Sequence, residues 1–122
     1  MNAPALQLLE LVGPEVAVPH TMTLYLEGEI GQTEWSDVSA QLFRYANRRV
    51  RHVVMDFTDV SHLDYRVVRP LIARTDSFRA VGGDVKLSGL SPYLFAIFKS
   101  AGAHEAFDVF ATAAEASASF RR

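Results

Sequence analysis

Apolar and polar residues recur along this chain with two periods, and the changes of period mark its elements. Met22, Leu24, Leu26 and Gly28 share one face of an extended segment, with Thr23, Tyr25, Glu27 and Glu29 on the other. That period of two predicts a half-buried strand ending at Gly31. A shorter apolar run, Leu6 to Leu11, predicts an earlier strand, closed by a turn at Gly13-Pro14. Val16 to Pro19 suits only an edge or a bulge, because Pro19 cannot donate to a ladder. From Glu34 to Arg49 the period lengthens. Trp35, Val38, Leu42, Tyr45 and Ala46 fall on one helical stripe, with Thr33 as the expected N-cap. Arg44, Arg48 and Arg49 load the far end, where cations suit the helix dipole.

His52 to Thr58 is a short, nearly continuous apolar run, the pattern of a central strand buried on both faces. Asp59 to Asp64 is polar enough to be expected as a loop. A second helix is expected over Tyr65 to Val81, buried through Val68, Leu71, Ile72, Thr75 and Phe78, with Gly82-Gly83 as its stop. Pro70 disturbs it: a start at Tyr65 puts the proline where it kinks the helix, and a start at Pro70 leaves Tyr65 to Arg69 as loop. Asp84 to Leu90 predicts another strand. Ser91-Pro92 opens a helix over Tyr93 to Ala101 that stops at Gly102. Phe107 to Phe110 predicts a last short strand, and Thr112 to Glu115 is a capping box for a last helix. Strands alternating with helices imply right-handed crossovers and a largely parallel sheet, with the first strand antiparallel at an edge.

Composition narrows the function. At 122 residues the chain has the size of one domain, and its 49% hydrophobic content supplies one core. A formal charge of −2 argues against bulk electrostatic binding of nucleic acid. With no cysteine there is no disulfide and no thiolate metal site, which fits the cytoplasm. No basic region precedes the first apolar stretch, so residues 1–12 do not read as a signal peptide, and Tyr93 to Phe98 is too short to span a bilayer.

Candidate chemistry is sparse. His20, His52, His62 and His104 lack metal-ligand spacing. Asp56 ends a central strand as a phosphoacceptor would, but the acidic pair such a receiver domain needs after its first strand is missing. Ser91 has no Gly-x-Ser-x-Gly around it, and Gly82-Gly83 lacks the lysine of a phosphate loop. Without an acid–base pair or an activated nucleophile, no enzyme activity is expected, and no cofactor. Arg44 to Arg51 is a basic cluster that reads as a solvated face or a contact for an acidic partner. Exposure of Tyr93 or Phe95 would mark a contact surface or a homodimer seam.

Five stretches in order resemble the STAS domain, the fold shared by sulfate-transporter tails and bacterial anti-sigma-factor antagonists. They are Val53-Val-Met-Asp-Phe, Val60-Ser-His-Leu-Asp64, Gly82-Gly83 with Asp84-Val-Lys-Leu, Leu90-Ser-Pro with Phe98 to Gly102, and Phe107 to Glu115. The likeness covers Thr23 to Phe120; residues 1–22 match less well. It implies one α/β domain over 1–122, with a mixed, mostly parallel sheet of four to five strands and about four helices mainly on one side.

In the antagonist branch the aspartate matched by Asp64 precedes Ser-Ser-Gly, and the first serine is phosphorylated by a partner kinase that is itself the anti-sigma factor. Here Tyr65, Arg66 and Val67 stand at those positions. Tyrosine carries its hydroxyl several ångströms farther from the backbone, so a kinase aligned for serine would miss it; Ser61 and Thr58 are nearby hydroxyls for a displaced switch. The resemblance implies a regulatory binding module of bacterial partner switching, docking through Leu63, Asp64, Tyr65, Arg66, Val67 and Arg69. Its implied partner is a serine-kinase-type anti-sigma factor or another ATPase, with no direct contact to nucleic acid or membrane. The alternatives are an accessory subunit of an ABC-type lipid transport complex and a small-ligand or nucleotide sensor.

Overall fold

A computed structural model describes Leu6–Leu9, as backbone, and residues 21–121. The strands are β1 (Leu6–Leu9), β2 (Thr21–Ile30), β3 (His52–Leu63), β4 (Asp84–Ser88) and β5 (Val109–Phe110). The helices are α1 (Gln32–Asn47), α2 (Val68–Arg79), α3 (Pro92–Ser100) and α4 (Ala113–Ser119), with a 3-10 turn at Tyr65–Val67 ahead of α2. The element order is the one the periodicity predicts. Glu10, Leu11 and Val16 to Pro19, on which further strand was expected or weighed, lie outside the described residues.

The five strands lie in sequence order, β1 antiparallel to β2 and the other neighbours parallel. Each parallel strand sits beside its predecessor, so right-handed crossovers put α1, α2 and α3 on one face. Their buried side chains, among them Leu42, Tyr45, Leu71, Phe78, Leu94 and Phe98, join Leu24, Met55, Phe57 and Leu87 of the strands in one core. Phe98 is fully buried in it, with its ring edge-on to both Phe57 and Phe107 at 6.1 and 5.8 Å.

Residues of opposite parity face the other way and meet α4, which touches β2, β3 and β4. Here the Lys86 ammonium donates to Ser119 Oγ at 2.7 Å and lies 4.2 Å from the Phe120 ring, which stacks on His52 at 4.3 Å. The Asp108 carboxylate stands 3.9 Å away. A mostly buried cation is thus held by a π face and a hydroxyl, with a carboxylate at the edge.

Several boundaries differ from expectation. The N-cap of α1 is Gly31 rather than Thr33, because the Glu34 carboxylate accepts from the Gly31 N–H at 2.9 Å. The stretch Asp59 to Asp64 is not a loop. β3 continues to Leu63, paired only with β2 beyond Asp56. Its register slips twice, between Tyr25 and Glu27 and between Gly28 and Glu29, each time by one extra residue on β3. Phe57, Val60 and Leu63 therefore reach the core at a spacing of three, with Val60 opposite Gly28 and Leu63 opposite Ile30, which are two apart. Strand β4 stops at Ser88, because Gly89 turns away at φ +71°. A Cβ there would lie 2.9 Å from the Thr58 backbone nitrogen, so the crossing needs glycine. Strand β5 is limited to two residues of the expected four.

Ser91 caps α3 by accepting from the Leu94 N–H at 3.1 Å, with Pro92 at the first helical position. The capping box of α4 is made on both sides, Thr112 Oγ1 accepting from Glu115 N–H at 3.1 Å and Glu115 Oε1 from Thr112 N–H at 3.3 Å. Among the described residues, no helix is long and apolar enough to cross a membrane.

Candidate functional site at the end of the third strand

The chain leaves β3 at Leu63, which is 2% exposed and anchors the strand end in the core. Asp64 follows in extended conformation, its N–H donating to Ile30 O at 2.9 Å, so the end of β2 fixes where it sits. Its carboxylate accepts from the Arg66 N–H at 2.9 Å, and its carbonyl from the Val67 N–H at 2.9 Å. These bonds close the 3-10 turn and set α2 to begin at Val68. Pro70 then falls in the first helical turn, where backbone N–H groups have no intrahelical acceptor. Neither expectation for Pro70 holds: the helix starts at neither Tyr65 nor Pro70, and the proline sits where its missing donor costs nothing.

Arg66 folds back over this cap. Its Nε and Nη2 donate to Asp64 Oδ1 and Oδ2 at 3.1 and 2.8 Å, a two-pronged pair. Hydrogen bonds from the Arg66 side chain and backbone hold the Asp64 carboxyl below its ordinary pKa, and the Asp64 carboxylate raises that of Arg66. The carboxylate thereby offsets the cost of a cation at a helix start.

The residues expected to form the site divide by direction. Leu63 and Val67, each 2% exposed, point into the core and support the turn from beneath. Tyr65 is 66% exposed, and Arg66 and Arg69 are exposed beside it. The structure also adds His62 and Tyr93 to the site; exposure of Tyr93 or Phe95 was expected to mark a contact surface, and they are 54% and 38% exposed. Tyr93, at the start of α3, shares a hydrogen bond with His62 of β3, Nδ1 to Oη at 2.6 Å, with ring centroids 5.8 Å apart. An open depression of ≈ 420 Å³ joins His62, Leu63, Asp64, Tyr65, Arg66, Tyr93 and Ile97. His62 was hidden within the apparent loop. Tyr93 carried one signal, an aromatic on a helix that buries Phe98 while Tyr93 and Phe95 stay exposed.

Asp56 and the nearby hydroxyls sit apart from this surface. The Asp56 carboxylate, 5% exposed, accepts from Ser88 Oγ at 2.7 Å and from the Thr58 N–H at 3.0 Å. It ties β3 to β4. Ser61 and Thr58 are exposed on the β3 extension. Among the described residues, no cluster of three histidine, aspartate or glutamate side chains is placed to hold a metal ion.

Known proteins fit this geometry. The unphosphorylated anti-sigma factor antagonist SpoIIAA superposes with a TM-score of 0.78 at 25% identity, over 96% of each chain. SpoIIAA in phosphorylated form, a Bacillus cell fate determinant, gives 0.72 at 23% identity over 96% of this chain and all of the other. An anti-sigma factor antagonist from Mycobacterium paratuberculosis gives 0.78 at 15% identity over the full length of both. Among curated proteins no sequence matches. The STAS domain profile matches residues 14–116, and the chain belongs to the STAS domain family.

Proposed function

We propose that this chain is a non-catalytic regulatory module of the anti-sigma-factor-antagonist kind. It docks a serine-kinase-type anti-sigma factor through Asp64, Tyr65, Arg66 and Arg69, with Leu63 and Val67 holding the turn from below. One observation carries the reading. The residue after the capping aspartate is a tyrosine, 66% exposed at the lip of the depression, and the residue after that is a cation clamped on the aspartate. A phosphoserine switch works by adding up to two negative charges at such a helix start. Here bulk and a fixed ion pair occupy the place of a removable charge, so docking is constitutive rather than switched.

Affinity for the kinase-type ATPase, measured by biolayer interferometry, tests the docking surface. Tyr65→Ala and Arg69→Glu are each expected to weaken binding about tenfold or more, as substitutions at the centre of an interface do. Lys99→Ala, at the far end of α3, is expected to leave it unchanged. Equal affinity across all three variants would overturn the assignment.

A further inference from the structure

A second surface lies on the outer side of α1 and α2, away from the depression at Tyr65. Residues 32–49 and 68–79 together carry six arginines and three carboxylates, whereas the rest of the chain carries six basic and eleven acidic residues. A chain of net charge −2 thus keeps its positive charge on one helical layer. Between the two helices runs a cleft of ≈ 380 Å³ lined by Trp35 and Ser39 of α1 and by Pro70, Ala73, Arg74 and Ser77 of α2. Trp35, Ser39 and Phe43 recur every four residues, and Pro70, Ala73 and Ser77 every three or four, so each helix turns one row of side chains to the cleft. Phe43 stands 52% exposed at its edge. The Arg74 guanidinium lies 5.6 Å from the centre of that ring and donates to Ser39 Oγ at 3.0 Å. Its positive charge is thus held across the groove by a ring and a hydroxyl.

We propose that this groove binds an acidic amphipathic helix of a protein partner, its apolar stripe between the two rows and its carboxylates against the arginines. Charge complementarity selects the sign of the partner. Trp35, Pro70 and Ala73 in its lining and Phe43 at its edge select an amphipathic helix over a nucleic acid backbone, which would need several cations along the groove where Arg74 is the one that lines it. The concave shape selects it over a lipid surface, which would need the aromatics to protrude together. Like charges disfavour a second copy of the same face.

Fluorescence anisotropy on the full chain tests this with a labelled synthetic peptide of about five helical turns, glutamate-rich with leucine at i, i+3, i+4 and i+7. The controls are a peptide of the same composition with the leucines scrambled, a DNA duplex, and phosphatidylglycerol vesicles. The patterned peptide is expected to bind at least tenfold more tightly than the scrambled one and to weaken as salt rises. Arg74→Glu and Phe43→Ser, both at exposed or partly exposed positions, are each expected to lose about tenfold in affinity. Tyr65→Ser is expected to lose none, which separates this surface from the one at Asp64. Equal binding of the two peptides, tighter binding of duplex or vesicles, or loss on Tyr65→Ser alone would overturn the proposal.

Discussion

Asp64 accepts three hydrogen bonds from Arg66, one from its backbone and two from its guanidinium. The carboxyl is therefore depressed in the folded chain, and the sign of the pH dependence follows. Its contribution is complete above the unfolded-state pKa and is lost as pH falls through the lower folded value, leaving neutral pH untouched. Arg66→Ala should return the Asp64 midpoint toward the ordinary carboxylate range, read by carboxyl-carbon NMR; an unmoved midpoint would mean the pair is absent in solution. Leu63 and Val67 make the complementary point. Both belong by position to the segment proposed to dock, yet each is 2% exposed. Leu63→Ala should cost about 2–5 kcal/mol in chemical denaturation, as truncation of a packed core leucine does. A loss below about 0.5 kcal/mol, the range of surface substitutions, would place Leu63 outside the core. The sequence showed which residues cluster after the strand, but not which of them turn inward, because the turn that sorts them hangs on one aspartate accepting from the residue two positions on.

At the scale of elements, legibility depended on whether a segment kept its period. Strand β2 does from Met22 to Leu26, where its inward face is readable, but Gly28, expected on that face, is exposed at φ +76°. Strand β3 is legible as a continuous buried run only as far as Phe57; beyond that, two extra residues spread its buried positions to Val60 and Leu63, and the polar residues between them mimic a loop. Local hydrogen-bond chemistry was more transparent: Ser91 and Thr112 cap the helices they were expected to cap. The start of α1 was misplaced because Glu34 reaches back to a glycine that offers no side-chain signal of its own. Helix α4 is short and its outer face solvated, so its cap carries weight. Thr112→Ala should lower stability by about 1 kcal/mol and raise amide exchange in Ala113–Ser119 ahead of the sheet. Unchanged exchange there would show that the Lys86 and Phe120 contacts alone hold the helix.

At the scale of the molecule, a parallel sheet in sequence order sends three helices to one face and delivers the ends of β2 and β3, the start of α2 and the start of α3 to one rim. Relatives of the same fold include a structure solved in a phosphorylated form and one solved without phosphate. In this chain the rim carries a tyrosine and an aspartate–arginine clamp. A fixed docking surface at that rim is what distinguishes this chain from a phosphate-switched one. The most direct measurement incubates the chain with the proposed kinase-type anti-sigma factor and ATP, then follows intact mass and complex integrity together. The expected result is an unchanged mass and a persistent complex for the natural chain, with phosphate gained and the complex dissolved for Tyr65→Ser. Phosphate on the natural chain at Tyr65, Ser61 or Thr58, accompanied by release of the partner, would contradict it.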